Sequence, residues 1–141
     1  MCDPATVTIT INAANDAPVA GDDAFTMNED ATLSDVFSAN DSDPETPNTG
    51  LTWSLVAGGS AAANGAIAVN ANGTFDYVPA TNFSGVVSFT YQVCDPSNAC
   101  DPATVTITIN TANDSPVATD DSFTMSEDGA LSNALSGNDN D

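Results

Sequence analysis

The sequence predicts an all-β fold: a seven-stranded antiparallel Greek-key sandwich, strung as tandem beads. Three observations carry this. Cys2 to Asp43 laid over Cys100 to Asp141 gives 30 identities in 42 positions, at a constant offset of 98. A period near 100 is too long for a solenoid unit of roughly 20–50 residues and suits an independently folding bead. Apolar and polar residues alternate with period two, and no segment shows helical periodicity. Seven short alternating segments with turns every 8–15 residues fit a Greek-key sandwich.

The predicted strands fall, in order, at 23–28 (DAFTMN), 31–37 (ATLSDVF), 51–57 (LTWSLVA), 65–69 (GAIAV), 73–78 (GTFDYV), 86–94 (VVSFTYQVC) and 103–110 (ATVTITIN). The last is the clearest, with Val105, Ile107 and Ile109 on one face and threonines on the other. Asn72-Gly73 between the fourth and fifth strands is a hairpin signal. Trp53, Phe75, Tyr77, Phe89 and Tyr91 are expected to fill the core and its rim. The organisation that follows is 1–14 as the last strand of a preceding repeat plus linker, 15–112 as a complete sandwich, and 113–141 as a linker with the first two strands of the next repeat.

The chain has 20 Asp and Glu and no Lys, Arg or His, a formal charge of −20. That balance excludes nucleic acid and anionic membrane surfaces as natural partners. Self-repulsion at this density opposes a compact state unless cations neutralise it. The chain is nonetheless 41% hydrophobic and strongly patterned, unlike a disordered acidic tail. It has no apolar run of 18 residues, so this segment is expected not to span a membrane. Its start resembles no signal peptide, so any export signal is expected to lie outside this segment.

Cys94 and Cys100 flank DPSNA at a strand-to-strand turn, close enough to form a disulfide. Cys2 occupies the place of Cys100 one repeat earlier, so an odd count becomes one pair plus an orphan. The closed loop would contribute about 2–3 kcal/mol and points to an extracytoplasmic, oxidising compartment.

The acids gather as Asn15-Asp16, Asp22-Asp23, Glu29-Asp30 and Asp41-Ser42-Asp43. They gather again as Asn113-Asp114, Asp120-Asp121, Glu127-Asp128 and Asp139-Asn140-Asp141. Nearly all lie in linkers or turns. Ca²⁺ takes 6–8 oxygen ligands, so it needs several such turns brought together. There is no EF-hand loop, and without His or a thiolate cluster zinc and copper are poor candidates. Sandwich topology supplies the convergence. If the first strand runs down and the second up, the turn holding Asp41 and Asp43 returns to the top beside Asn15-Asp16. The sixth strand, ending at Cys94-Asp95, rises to the same end. Glu29-Asp30 then lies at the bottom, near the exit linker Asn113-Asp114, which is expected to meet the next bead's Asp139 and Asp141.

Several motifs together resemble a known family: the last strand TVTITI, the linker N-D-x-P-V, the D-x-D turn, DD-x-F-T-x-x-E-D, N-G-T-F-D-Y-V-P followed by F-S-G, and F-T-Y-Q-V-C-D. They are similar to the cadherin-like and bacterial Ig-like tandem repeats of large bacterial surface proteins and adhesins. The resemblance implies a β-sandwich, secretion, and Ca²⁺ at the bead junctions. By position, Asn113, Asp114, Asp139, Asp141 and Glu127 or Glu29 match cadherin-type ligands, and Asp95 matches the acid ending the sixth strand. Two departures stand out. Ala80-Thr-Asn-Phe-Ser84 replaces the acidic-basic-acidic triplet of cadherins, and the linker has a single Asn-Asp unit.

Catalysis is not expected: there is no His, no Lys base and no plausible cysteine nucleophile. The expected role is a structural spacer or stalk repeat of an extracellular bacterial surface protein or adhesin, stiffened by Ca²⁺ and partnered by neighbouring repeats of its own chain. Two alternatives remain. One is a subunit of an extracellular filament or matrix, self-assembling into fibres through its flanking strands. The other is a glycan- or protein-binding module.

Overall fold

A computed structural model of the chain describes residues 1–132 and 139. The chain divides into two compact units, Met1–Thr111 and Ala112–Asp141. The first holds the sandwich. Its strands are β1 (Asp23–Asn28), β2 (Leu33–Val36), β3 (Thr52–Ala57), β4 (Gly65–Val69), β5 (Thr74–Pro79), β6 (Gly85–Cys94) and β7 (Cys100–Asn110), with a 3-10 turn at Asn48–Gly50 and a short α-helix, α1 (Gly59–Ala63). One sheet has the order β1-β7-β6-β3 and the other β2-β5-β4.

Alternation translates directly into burial. Val105, Ile107 and Ile109 of β7 and Val87, Phe89, Tyr91 and Val93 of β6 point inward, while the intervening side chains face out. Between the sheets Phe37 stacks on Tyr91 with ring centroids 4.2 Å apart, and Phe75 packs against Phe25, Phe37 and Phe89 at 5.1–5.6 Å. Such offset pairs add stabilisation beyond the apolar area they bury.

Three details depart from the sequence-based expectation. β1 lies parallel to β7, Asp23 beside Val105 through Asn28 beside Asn110, while every other strand pair is antiparallel. Both strands start from the end of the sandwich where the linker arrives. β2 is shorter than 31–37, although the Phe37 N–H still bonds the Gly73 carbonyl at 3.1 Å in line with the ladder, and the Phe37 ring is buried in the core. Helix α1 has only five residues, too few for a period to register in the sequence.

The Cys94–Cys100 disulfide is formed, joining two residues directly paired across β6 and β7. Cys2 is free and exposed. Residues 1–14 have no regular secondary structure and are exposed. In the second unit the described residues carry no strand. The part of the predicted second strand from 133 on lies outside the described residues.

Candidate functional site

The end of the sandwich that receives the linker collects the acids of the first unit. β1 leaves from this end, β6 arrives at it and β7 departs from it, so the turn before β3 and the β6–β7 turn meet the linker there. Val19 and Ser42 fix the meeting by a reciprocal pair of backbone hydrogen bonds, 2.7 and 3.0 Å. Asn15 Nδ2 donates to Asp95 Oδ2 at 2.6 Å, Ser97 Oγ donates to Asn15 Oδ1 at 3.1 Å, and the Asp16 N–H donates to Glu45 Oε2 at 3.3 Å. The predicted convergence of Asn15, Asp16, Asp41, Asp43 and Asp95 is therefore present as geometry.

Most of these carboxylates are engaged by donors of the bead itself. Asp41 is 3% exposed. Its Oδ2 accepts from Trp53 Nε1 at 2.6 Å, and its Oδ1 accepts from the Gly21 N–H at 2.9 Å and the Tyr91 hydroxyl at 2.8 Å. Asp95 Oδ1 accepts from the N–H groups of Ser97 and Ala99, which with Asn15 hold its carboxyl below the usual carboxylate range, Asn15 contributing most. Asp22 Oδ1 accepts from the Thr104 N–H at 2.8 Å, extending the β1–β7 pairing by a side chain.

Asp23 is the electrostatic exception. Burial, and then the neighbouring Asp41 charge, push its carboxyl up to about 6. The Tyr91 hydroxyl lies 2.9 Å from the Gly21 carbonyl and 3.4 Å from Asp23 Oδ2, besides its contact with Asp41. One phenolic proton faces three acceptors. Burial, with the Asp41 carboxylate beside it, pushes the Tyr91 hydroxyl far above its ordinary value.

Asp43 differs from Asp41, two residues away. Its Oδ1 accepts from the N–H groups of Glu45 and Thr46 at 2.9 and 2.5 Å. Its Oδ2 is buried and has no hydrogen-bond partner among the described residues. An orphaned carboxylate oxygen is costly in a chain without a single basic side chain. Asp43 and Glu45, whose Oε2 takes the Asp16 N–H, offer oxygen atoms of the kind a hard cation takes. Among the described residues, no three acidic or thiol side chains converge as a complete metal cage. The unpartnered Asp43 oxygen is of the ligand type that Ca²⁺ takes, without the six to eight ligands such an ion needs.

Glu29 and Asp30 sit at the opposite end. The Glu29 N–H donates to the Asn110 carbonyl at 2.9 Å, and Asp30 Oδ1 accepts from the Asn82 N–H at 3.3 Å. They are beside the exit of β7, as strand counting predicts, and apart from the acids at the linker end.

Two residues of the linker end were missed by sequence reasoning. Glu45 receives the Asp16 N–H, and Asp101 Oδ2 accepts from the Ala20 N–H at 2.9 Å. Glu45 lies two residues past the D-x-D turn, a proximity that could have marked it. Asp101 carries no comparable signal.

The second unit repeats the pattern in miniature. Asn113 Nδ2 bonds the Asp114 carbonyl at 2.9 Å, as Asn15 does with Asp16. The Thr119 N–H donates to Asp139 Oδ1 at 3.0 Å, the repeat mate of the Gly21–Asp41 bond. Asp120, Asp121, Glu127 and Asp128 are exposed. Asp141 lies outside the described residues.

The sequence matches the family described as the bacterial Ig domain over residues 15–108. The chain belongs to the bacterial Ig domain family. Among solved structures it resembles protocadherin gamma B7 extracellular cadherin domains 1–4, with a TM-score of 0.53 and 16% identity, covering 80% of this chain and 29% of that one. Human desmocollin-1 ectodomain scores 0.48 at 15% identity, covering 67% and 20% of the two chains. An endo-fucoidan hydrolase of glycoside hydrolase family 107 scores 0.48 at 18% identity, covering 73% and 15%. The chain thus spans only a minor part of the length of each of these proteins. The protocadherin likeness speaks for the fold alone, and the two weaker ones carry no argument. No curated protein matches. This bacterial Ig domain has a cadherin-like sandwich, with its linker bonded to one end.

Proposed function

We propose that the chain is a spacer repeat of an extracellular bacterial surface protein or adhesin, with Ca²⁺ at the seams between repeats. The observation that carries this reading is the docked linker. Asn15 and Asp16 are hydrogen-bonded to Asp95 and Glu45 of the bead they precede, so chain direction is set at the seam. A disulfide in the β6–β7 turn supports an oxidising compartment, and no helix among the described residues is long and apolar enough to cross a membrane.

Asp43, Glu45 and Asp16 would hold the cation, whose charge would offset the crowded carboxylates. Further oxygen ligands would come from the preceding repeat, by way of the mates of Glu29 and Asp30. In the second unit, Asn113, Asp114, Asp139 and Asp141 would serve the next seam, with Glu127 and Asp128 at that bead's far end. Asp22, Asp23, Asp41 and Asp95 would set the shape of the site rather than coordinate. Asp120 and Asp121 would do the same in the second unit.

The test is an array of three or more repeats examined by small-angle scattering, with calcium and with EDTA. Calcium should lengthen and stiffen the particle and raise its melting temperature. Identical profiles and melting curves would remove the metal from the proposal, while a compact, collapsed array under both conditions would remove the spacer role.

A further inference from the structure

The sandwich has four edge strands, β1 and β3 in one sheet and β2 and β4 in the other. Three of them are guarded. β1 is bracketed by Asp22-Asp23 and Glu29-Asp30. On β2, the Phe37 N–H bonds Gly73 in line with β5, which leaves the Val36 N–H on the open side, where Asp35 Oδ1 accepts from it at 2.8 Å. β3 is bulged between Leu55 and Ala57, and its Trp53 N–H is taken by the Ala71 carbonyl at 3.2 Å. Charges and bulges are the means by which edges are kept from pairing. The outer edge of β4 has neither. Its residues, Gly65-Ala-Ile-Ala-Val69, include no charge, no proline and no bulge.

Two backbone bonds fix which groups of β4 face outward. The Ala80 N–H donates to the Asn64 carbonyl at 2.8 Å, and the Asn70 N–H donates to the Thr74 carbonyl at 2.9 Å, so the even-numbered residues between them bond β5. Gly65, Ile67 and Val69 therefore turn N–H and C=O to the open side, where they have no backbone partner among the described residues. Ala66 and Ala68 are exposed on the outer face, while Ile67 and Val69 pack against the core. The distribution of charge points to the occupant. Of the 20 acids, Asp76 alone lies between residues 46 and 94. A cationic partner would be drawn to the acids elsewhere, whereas this nearly uncharged side is where two copies of so acidic a chain approach with least repulsion.

We propose that β4 of one copy pairs antiparallel with β4 of a second copy across a two-fold axis at Ile67, joining two three-stranded sheets into one. The strand is self-complementary in this register. Ile67 faces Ile67 of the second copy, Gly65 faces Val69, and Val69 faces Gly65. All are residues with outward N–H and C=O, so each of these pairs exchanges two N–H···O bonds. A slip by one residue would set outward groups against groups already bonded to β5. Ala66 then stands opposite Ala68 of the second copy on the outer face, beside the exposed Val78 of β5. Asp76 lies one strand further in, opposite Ala68. The two Asp76 carboxylates are thus three strand spacings apart, about 14 Å, beyond the Debye length of ~8 Å at physiological salt. A strand pair of this length buries less than the ~1,600 Å² of a standard interface. The association is weak for one bead and grows where beads in a row pair together.

The experiment is sedimentation of the 141-residue chain at up to about 1 mM, at physiological salt and at about 1 M, where the Debye length falls to ~3 Å. Amide hydrogen exchange of dilute and concentrated samples locates the contact. The expected result is a monomer–dimer equilibrium that salt strengthens, in which the Ile67 and Val69 amides slow on concentration and those of Ala66 and Ala68, already bonded within the bead, change little. Ala66→Glu with Ala68→Glu would set like charges directly opposite one another twice, and should weaken the dimer by about tenfold. Ala66→Lys with Ala68→Glu would set opposite charges at the same two places, and should dimerise at least as tightly as the parent. Both positions are exposed in the single bead, so the melting temperature of dilute samples should stay near that of the parent. A chain that remains monomeric at about 1 mM in both salts overturns the proposal. So does a dimer that the paired glutamates leave intact, one that the Lys–Glu pair weakens equally, or one whose slowed amides lie in 2–12 instead of β4.

Discussion

Asp41 and Asp43 belong to one turn, yet their surroundings differ. Asp41 turns inward and is surrounded by Trp53 Nε1, the Tyr91 hydroxyl and the Gly21 N–H. Asp43 accepts instead from Glu45 and Thr46 of its own turn, and its other oxygen is buried with no partner among the described residues. The interior carboxylate ties β1, β3 and β6 together at one end of the sandwich. The Asp43 carboxylate presents an acceptor that, in a chain without basic residues, a cation would suit. Acids that gather at one end of the bead are therefore not equivalent. What matters is which of them already own a donor.

The comparison breaks most visibly at Asp41. Asp41→Ala removes the acceptor of three buried donors, and truncation of such a network costs about 3–5 kcal/mol. For a bead of this size each kcal/mol shifts the melting temperature by roughly 4–8 °C, so scanning calorimetry should record a large fall, equal with calcium and with EDTA. A fall that calcium reverses would make Asp41 a metal ligand and erase the distinction.

Asp43→Asn is the counterpart. Without calcium the variant should melt within about 1 kcal/mol of the parent, because the shared Oδ1 bonds survive and only an unpaired charge is removed. With calcium it should lack the gain expected of the parent, about 2.7 kcal/mol at a hundredfold excess over Kd. Titration calorimetry decides the matter: a full calcium response in Asp43→Asn shows that the orphaned oxygen is not a ligand.

The division between these two acids was invisible in the sequence, although most of the fold was not. Alternation of Val105, Ile107 and Ile109 with threonines is a local property, so the strands could be read directly. Strand counting was enough to send Asn15, Asp43 and Asp95 to one end and Glu29 to the other. Which acids turn inward depends on donors far along the chain. Trp53 and Tyr91 reach Asp41 across 12 and 50 residues, and no spacing rule encodes that. Asp101 was hidden for the same reason, and so was the bond that engages Asp22, since they reach the backbone of Ala20 and Thr104 from distant segments. The identical sequences of 2–12 and β7 make the converse point. Pattern gives the capacity for a strand, and a neighbouring strand decides whether it forms.

Asn15→Ala tests the linker side without touching the interior. It removes the 2.6 Å bond to Asp95 and the 3.1 Å bond from Ser97. The Asp95 bond is charge-assisted and is the stronger of the two. The bead itself should barely change, but hydrogen exchange should speed up at the Asp16 amide. Unchanged protection there would mean that the linker is not held by this bond.

The smallest effect belongs to Asp23, whose folded-state pKa of about 6 stands above the ordinary 3.8. A carboxyl raised in this way binds its proton more tightly when folded. Its contribution is full below about pH 3.8 and is lost as pH rises through about 6. Asp95, shifted the other way, contributes above the ordinary carboxylate value and loses its contribution as pH falls below it. The two windows do not overlap. Asp23→Asn keeps a neutral group beside Tyr91 at every pH, and its amide can donate where the single phenolic proton cannot serve every acceptor. In EDTA, the melting temperature of the variant should match the parent near about pH 4 and exceed it increasingly towards pH 7. Because Asp23 is partly open to solvent, the gap is expected to be only a few degrees. A difference that stays flat across that range would mean that Asp23 is ionised in the folded bead at little cost, and belongs with the linker-side acids rather than with Asp41.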